Sequence, residues 1–101
     1  MLQEQNGILY MVGYLNKKNT SELIQRLLAI AAERSLTIDL SRIERPNSIV
    51  IALLIYLKRH AKDNEHTLTI INWPHSLLRL IALYSLNQFF NIYPARWNQQ
   101  K

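Results

Sequence analysis

Leu36-Thr-Ile-Asp-Leu-Ser-Arg-Ile-Glu-Arg-Pro-Asn-Ser-Ile-Val-Ile-Ala-Leu-Leu-Ile-Tyr-Leu57 is the stretch whose reading decides the fold. Leu36 to Leu40 reads as a short buried strand. A polar turn follows, fixed by Pro46, and a helix runs from about Asn47 to Lys62. That order leaves Asn47 and Ser48 at a helix N-terminus, where unpaired backbone N–H groups and the helix dipole favour negative charge. The helix is apolar on nearly every side until Tyr56, so most of it must be buried against a sheet or against something outside the chain. Its end turns basic at Lys58, Arg59, His60 and Lys62, as the negative pole of a helix prefers.

Working outward, Gly7 to Leu15 reads as a strand, with Gly13 marking a bulge or a close backbone approach. A helix opens after Lys18, capped by Asn19 or Thr20, with Glu22 suited to the positive end of the dipole. Its core stripe is Leu23, Leu27, Ile30 and Ala31, while Ile24 and Leu28 sit off that stripe. A tight turn at Arg34-Ser35 leads into the strand at Leu36. Downstream, Asp63 to His66 is a loop and Thr67 to Asn72 a further strand. Pro74 sits at the start of a third helix, where its missing N–H costs nothing. That helix carries a stripe of Leu77, Leu80, Ile81 and Tyr84 and closes at about Asn87. Phe89, Phe90, Ile92 and Tyr93 then form an extended segment or cover, with a frayed tail from about residue 97. Strand and helix alternate three times. The fold class is therefore α/β: one domain spanning residues 1–101, with a small sheet, parallel crossovers and layered helices.

Composition narrows the function. With 101 residues, 49% of them hydrophobic, the chain can build one modest core. It has no cysteine, so it needs no disulfides and offers no thiol chemistry. Met1 to Gly7 lacks the basic and apolar regions of a signal peptide. The apolar run Ile49 to Leu57 falls far short of the ~20 residues that span a bilayer. A soluble protein is expected. The formal charge is +5, but the basic residues are scattered and no aromatics interleave with them, which argues against nucleic acid. An acidic protein surface or anionic headgroups account for the charge instead.

The inventory for catalysis is thin. His60, His66 and His75 are isolated, so no metal site is expected. Ser76 follows His75 directly, but neighbours on a helix point in different directions and do not make a nucleophile–base pair. The chain has two glycines, too few for a phosphate-cradling loop. Neither an enzyme nor a cofactor is implied. What remains is Ser48. One reading is a helix cap, Asn47 or Ser48 accepting from the backbone two or three residues on, which stabilises by ~1 kcal/mol. The other is an exposed switch, in which a phosphate meets the helix N-terminus and Arg42 or Arg45. Both place Ser48 at the same corner.

Thr37-Ile-Asp-Leu-Ser-Arg-Ile43, then Asn47-Ser48 and the Ala52-Leu-Leu-Ile-Tyr-Leu helix, resemble the STAS domain family. Its members include anti-sigma factor antagonists and the STAS subunit of the Mla lipid-transport ABC complex, and the likeness to the latter covers nearly the whole chain. The resemblance implies helices packed mainly on one side of a small mixed sheet. It further implies a non-catalytic accessory subunit on the cytoplasmic face of the inner membrane. There the subunit binds the ATPase of an ABC transporter, peripheral to its permease, and supports phospholipid transport that maintains outer-membrane lipid asymmetry. Ser48 matches the family's hydroxyl position near the partner surface. Asn47 stands where the family carries an acid, and Ile49 and Val50 stand where it carries small glycines; these departures favour a constitutive apolar dock over a phospho-switch. The expected partner contacts are Arg45, Asn47, Ser48, Ile49 and Val50, with Ile24 on the adjacent helix. Two alternatives are an anti-sigma antagonist phosphorylated at Ser48 and a lipid-binding pocket beneath the third helix.

Overall fold

Asn6 and Gly7 both adopt left-handed backbone angles, φ 53° and 82°, and turn the start of the chain back on itself as an Asn-Gly hairpin does. The computed structural model describes residues 1–92. In it, β1 (Leu2–Gln5) pairs antiparallel with β2 (Ile8–Met11), Leu2 opposite Met11 and Gln5 opposite Ile8. The apolar pattern begins only at Gly7 and hides β1, because Leu-Gln-Glu-Gln offers a single apolar residue. Tyr93 of the expected extended segment and the expected frayed tail from about residue 97 lie outside the described residues.

Two crossovers complete the sheet. After β2 come α1 (Thr20–Glu33) and β3 (Leu36–Asp39), then α2 (Ser48–Asp63) and β4 (Leu68–Ile71). The strand order is β1-β2-β3-β4, with β2 and β4 both parallel to β3. Past the end of β2, Gly13 takes φ 92°. Its amide donates to the Arg42 carbonyl at 3.1 Å, and its carbonyl accepts from the Glu44 amide at 2.9 Å. The close backbone approach expected at Gly13 is this contact.

Alternation along the strands builds the core. Leu9 and Met11, Leu36 and Ile38, and Leu68 are buried together with Leu23, Leu27 and Ala31 of α1 and Val50, Ile51, Leu54 and Leu57 of α2. Each fully buried Val, Leu, Ile or Met side chain among them contributes roughly 2 kcal/mol. The other face of the sheet carries Tyr10, Thr37 and Thr69, which are half-buried to exposed. Arg42 lies across that face, 3.9 Å from the Tyr10 ring centroid and hydrogen-bonded to Gln3 and Gln5. The helices thus pack mainly on one side, in a small mixed sheet.

The last helix, α3 (His75–Leu83), buries Leu77 and Ile81. Pro74 stands just before it, its carbonyl accepting from Leu77 and Leu78 amides at 3.0 and 3.1 Å. The helix stops four residues short of Asn87, because Ser85 turns left-handed at φ 59° and the Leu86 amide closes onto the Ile81 carbonyl at 2.8 Å. Residues 87–91 then form turns rather than an extended segment. They cover the core with Phe90, whose ring meets Trp73 and Phe89 edge-on at 5.3 and 4.9 Å between centroids. Among the described residues no helix is long and apolar enough to cross a membrane.

Candidate functional site

Because β2 and β3 are parallel neighbours, the helices that follow them begin at the same edge of the sheet. The corner of interest is where α1 and α2 start side by side. Two loops hold it. In the first, Asn16 Oδ1 accepts from the Lys18 and Asn19 amides at 2.9 and 3.1 Å. Asn19 Oδ1 accepts from the Asn16 amide at 2.9 Å, and its Nδ2 donates to the Tyr14 carbonyl at 2.8 Å. Asn19 occupies the cap position of α1 without a side-chain cap bond, since its amide is spent on the loop.

In the second loop, Asp39 at the end of β3 is 4% exposed. It accepts from the Ser41 amide and from Asn72 Nδ2, both at 2.7 Å, which ties the β3–α2 turn to the end of β4. Burial works to raise its pKa, but hydrogen bonds from Ser41 and Asn72 and the positive charge of Arg42 outweigh burial and hold the carboxyl below its ordinary value. Arg45 follows at φ 46°, a backbone region that costs an L-residue about 1–2 kcal/mol. Its side chain is exposed, the guanidinium 5.6 Å from the Tyr14 ring centroid.

Asn47 is the cap of α2. Its Oδ1 accepts from the Ile49 amide at 2.9 Å, and its Nδ2 donates to the Leu15 carbonyl at 3.1 Å. Ser48 is therefore released from capping: it is the first helical residue, exposed, and its hydroxyl bonds none of the described residues. No acidic residue lies in the first turn of α2, so the positive end of its dipole is uncompensated within the helix.

Beyond the cap, the two helices enclose a shallow recess of about 320 Å³ lined by Thr20, Ser21 and Ile24 of α1 and Ile49, Ala52, Leu53 and Tyr56 of α2. Ile24 and Ile49 are half-buried, and Tyr56 is 58% exposed. Positions 49, 52, 53 and 56 form one helical stripe. Val50 departs from the expected surface set. It is 0% exposed and packs in the core, because one position around the helix from Ile49 rotates a side chain by about 100°. The structure thus brings Arg45, Asn47, Ser48, Ile49 and Ile24 to one corner and removes Val50 from it. Ala52 and Tyr56 join the site in its place. Their spacing of three and seven from Ile49 is the signal in the sequence that points to them. Among the described residues no group of three or more His, Cys, Asp or Glu side chains is placed to hold a metal ion.

The family model described as Mlab, STAS domain matches residues 2–93. This chain belongs to the MlaB-type STAS domain family. The STAS fold is also similar to that of a chain in the Acinetobacter MlaFEDB complex in its ATP-bound Vtrans2 conformation. That similarity has a TM-score of 0.77 and 25% identity, over 87% of this chain and 95% of that chain. A weaker likeness, to the crystal structure of Mglu, has a TM-score of 0.59 and 12% identity over 74% of this chain and 20% of that one, and speaks to the fold alone. No curated protein gives a significant sequence match. At the corner, this STAS domain pairs its exposed hydroxyl with an Asn cap and a branched apolar residue, Ile49, on the groove side.

Proposed function

We propose that this STAS domain is a non-catalytic accessory subunit of an ABC-type phospholipid transporter. In this reading it grips the transporter's ATPase through the Ser48 corner and the groove between α1 and α2. The observation that carries the reading is the similarity to a chain of the MlaFEDB complex along 95% of that chain's length, together with the family match. The groove supplies the surface. Ile24, Ile49, Ala52 and Tyr56 give an apolar strip that a complementary ridge desolvates. The bare N-terminus of α2, Arg45 and the Lys17-Lys18 pair favour an acidic group at the rim of that ridge. Binding of this kind needs no chemistry: a subunit that binds only the folded, assembled ATPase stabilises it by mass action. In this reading the subunit sits at the inner face of the inner membrane, peripheral to the permease, and the transport maintains the lipid asymmetry of the outer membrane.

Co-purification with the ATPase of an MlaFEDB-type transporter from the same organism tests the reading. Ile49→Asp and Ser48→Glu are expected to cut capture at least tenfold while the melting transition of the domain persists. Undiminished capture by both variants sinks it. A second reading, an anti-sigma factor antagonist switched by phosphorylation, draws on the exposed and uncommitted Ser48 hydroxyl. Mass spectrometry after incubation with a partner kinase distinguishes it, because only that reading requires a phosphate on Ser48.

A further inference from the structure

The far end of α2 carries a second recess. Lys58, Arg59 and Lys62 of α2, His66 and Thr67 of the following loop, Leu68 of β4 and Phe89 of the C-terminal cover line a cavity of about 530 Å³. Lys62 lies about 21 Å along the helix from Ser48 at 1.5 Å per residue, so this is a different place from the docking corner. Among the described residues no carboxylate lines it. The one ion pair among the described residues is Arg34–Glu4 at 3.4 Å, which leaves Lys58, Arg59 and Lys62 without an acidic partner there. Helix-dipole compensation accounts for basic residues in a last turn. It does not account for their meeting His66, Thr67 and an aromatic wall brought from other parts of the chain. The His66 ring is anchored: Nδ1 lies 2.8 Å from the Ala31 carbonyl. A carbonyl only accepts, so Nδ1 carries the proton and Nε2 is the uncommitted ring atom.

We propose that this recess binds a phosphate ester. The three cations and the Thr67 hydroxyl meet the phosphate oxygens, and Leu68 and Phe89 lie against the organic part. Charge-assisted contacts from several cations suit a phosphate. The apolar wall favours an ester over the bare ion, because inorganic phosphate gains nothing from it. The ester has two possible sources, a soluble metabolite or a lipid headgroup at a membrane surface.

The isotopically labelled 101-residue chain, followed by amide chemical shifts, decides. It is titrated with inorganic phosphate, with glycerol 3-phosphate, and with phosphatidylcholine vesicles with and without phosphatidylglycerol. Residues 58–68 are expected to respond to glycerol 3-phosphate or to the phosphatidylglycerol vesicles. The double variant Lys58→Gln/Lys62→Gln is expected to weaken that response at least tenfold. Ser48→Glu is expected to leave it unchanged, which separates this site from the ATPase reading. A response to vesicles alone assigns the ester to a headgroup, and a response to glycerol 3-phosphate alone assigns it to a metabolite; either supports the site. Silence of residues 58–68 with every probe, or wild-type affinity in the double variant, overturns it. Equal affinity for inorganic phosphate and glycerol 3-phosphate overturns the role given to Leu68 and Phe89, and with it ester selectivity.

Discussion

Asn47 donates from Nδ2 to the carbonyl oxygen of Leu15, 32 positions earlier in the chain, at 3.1 Å. The same side chain caps α2 through Oδ1, so one amide locks the start of α2 to the loop that leads into α1. Both sides of the candidate groove depend on that lock for their spacing.

Asn47 variants separate the two bonds. Asn47→Asp keeps an acceptor for the Ile49 amide but loses the donor to Leu15. Asn47→Ala loses both. Urea unfolding is expected to show Asn47→Ala destabilised by about 2 kcal/mol, from a cap worth ~1 kcal/mol and a hydrogen bond of similar size. Asn47→Asp should lose about half of that. No loss in Asn47→Asp would show that the tie to Leu15 contributes nothing, and equal losses in the two variants that the cap contributes nothing.

Ile49 and Val50 are adjacent in sequence and opposite in consequence. Ile49→Asp places its charge in the open groove and should leave the fold intact, with stability changed by about 1 kcal/mol or less. Val50→Asp places a carboxylate among fully buried aliphatics, where an unpaired charge costs several kcal/mol, and is expected to unfold the domain. Circular dichroism on the pair checks this; a folded Val50→Asp protein contradicts the burial of that residue.

Asp39 makes stability depend on acid pH. Its folded pKa is lowered below the ordinary value, so the ionised form contributes stability that is fully present above the unfolded pKa of about 4. That contribution is lost as pH falls through the still lower folded pKa. Asp39→Asn, which sets an amide against the Ser41 N–H or the Asn72 amide, should cost about 1–3 kcal/mol at pH 7. The gap to the native chain should shrink below about pH 4. A gap of constant size from pH 7 to pH 3 would exclude the ionised carboxylate as its source.

Gly7 tests the hairpin. A Cβ there meets no atom within 4 Å, yet the backbone holds φ at 82°. Gly7→Ala is therefore expected to lose roughly 1–2 kcal/mol through backbone conformation alone. Loss of amide protection should be confined at first to β1 and β2. An unchanged melting curve would mean that the turn is not held left-handed in solution.

Much of this was legible in the chain. The stripe Leu23, Leu27 and Ala31, the strand at Leu36, the apolar helix after Pro46 and a cap at Asn47 or Ser48 are local patterns. Helical and strand periods and capping chemistry are written within a few residues of where they act. β1 was obscured for the converse reason. An edge strand with one apolar residue carries almost no periodic signal, and only the Asn6-Gly7 pair announces it. The end of α3 escaped because Ser85 is not a residue type that advertises a left-handed stop.

The sequence by itself determined the order of elements from β2 onward, the α/β class, the STAS resemblance and the corner at Asn47 and Ser48. Only the tertiary structure decided which side of α2 is inside. A helix apolar all round has no inherent inner face, so Val50 went to the core and Ile49, Ala52 and Tyr56 to the groove through the way α1, β4 and α3 pack against it. The same holds for the two recesses. One requires two helices lying side by side and the other a helix end, a loop, a strand and Phe89, and such meetings of distant segments are set by packing, which no local pattern encodes.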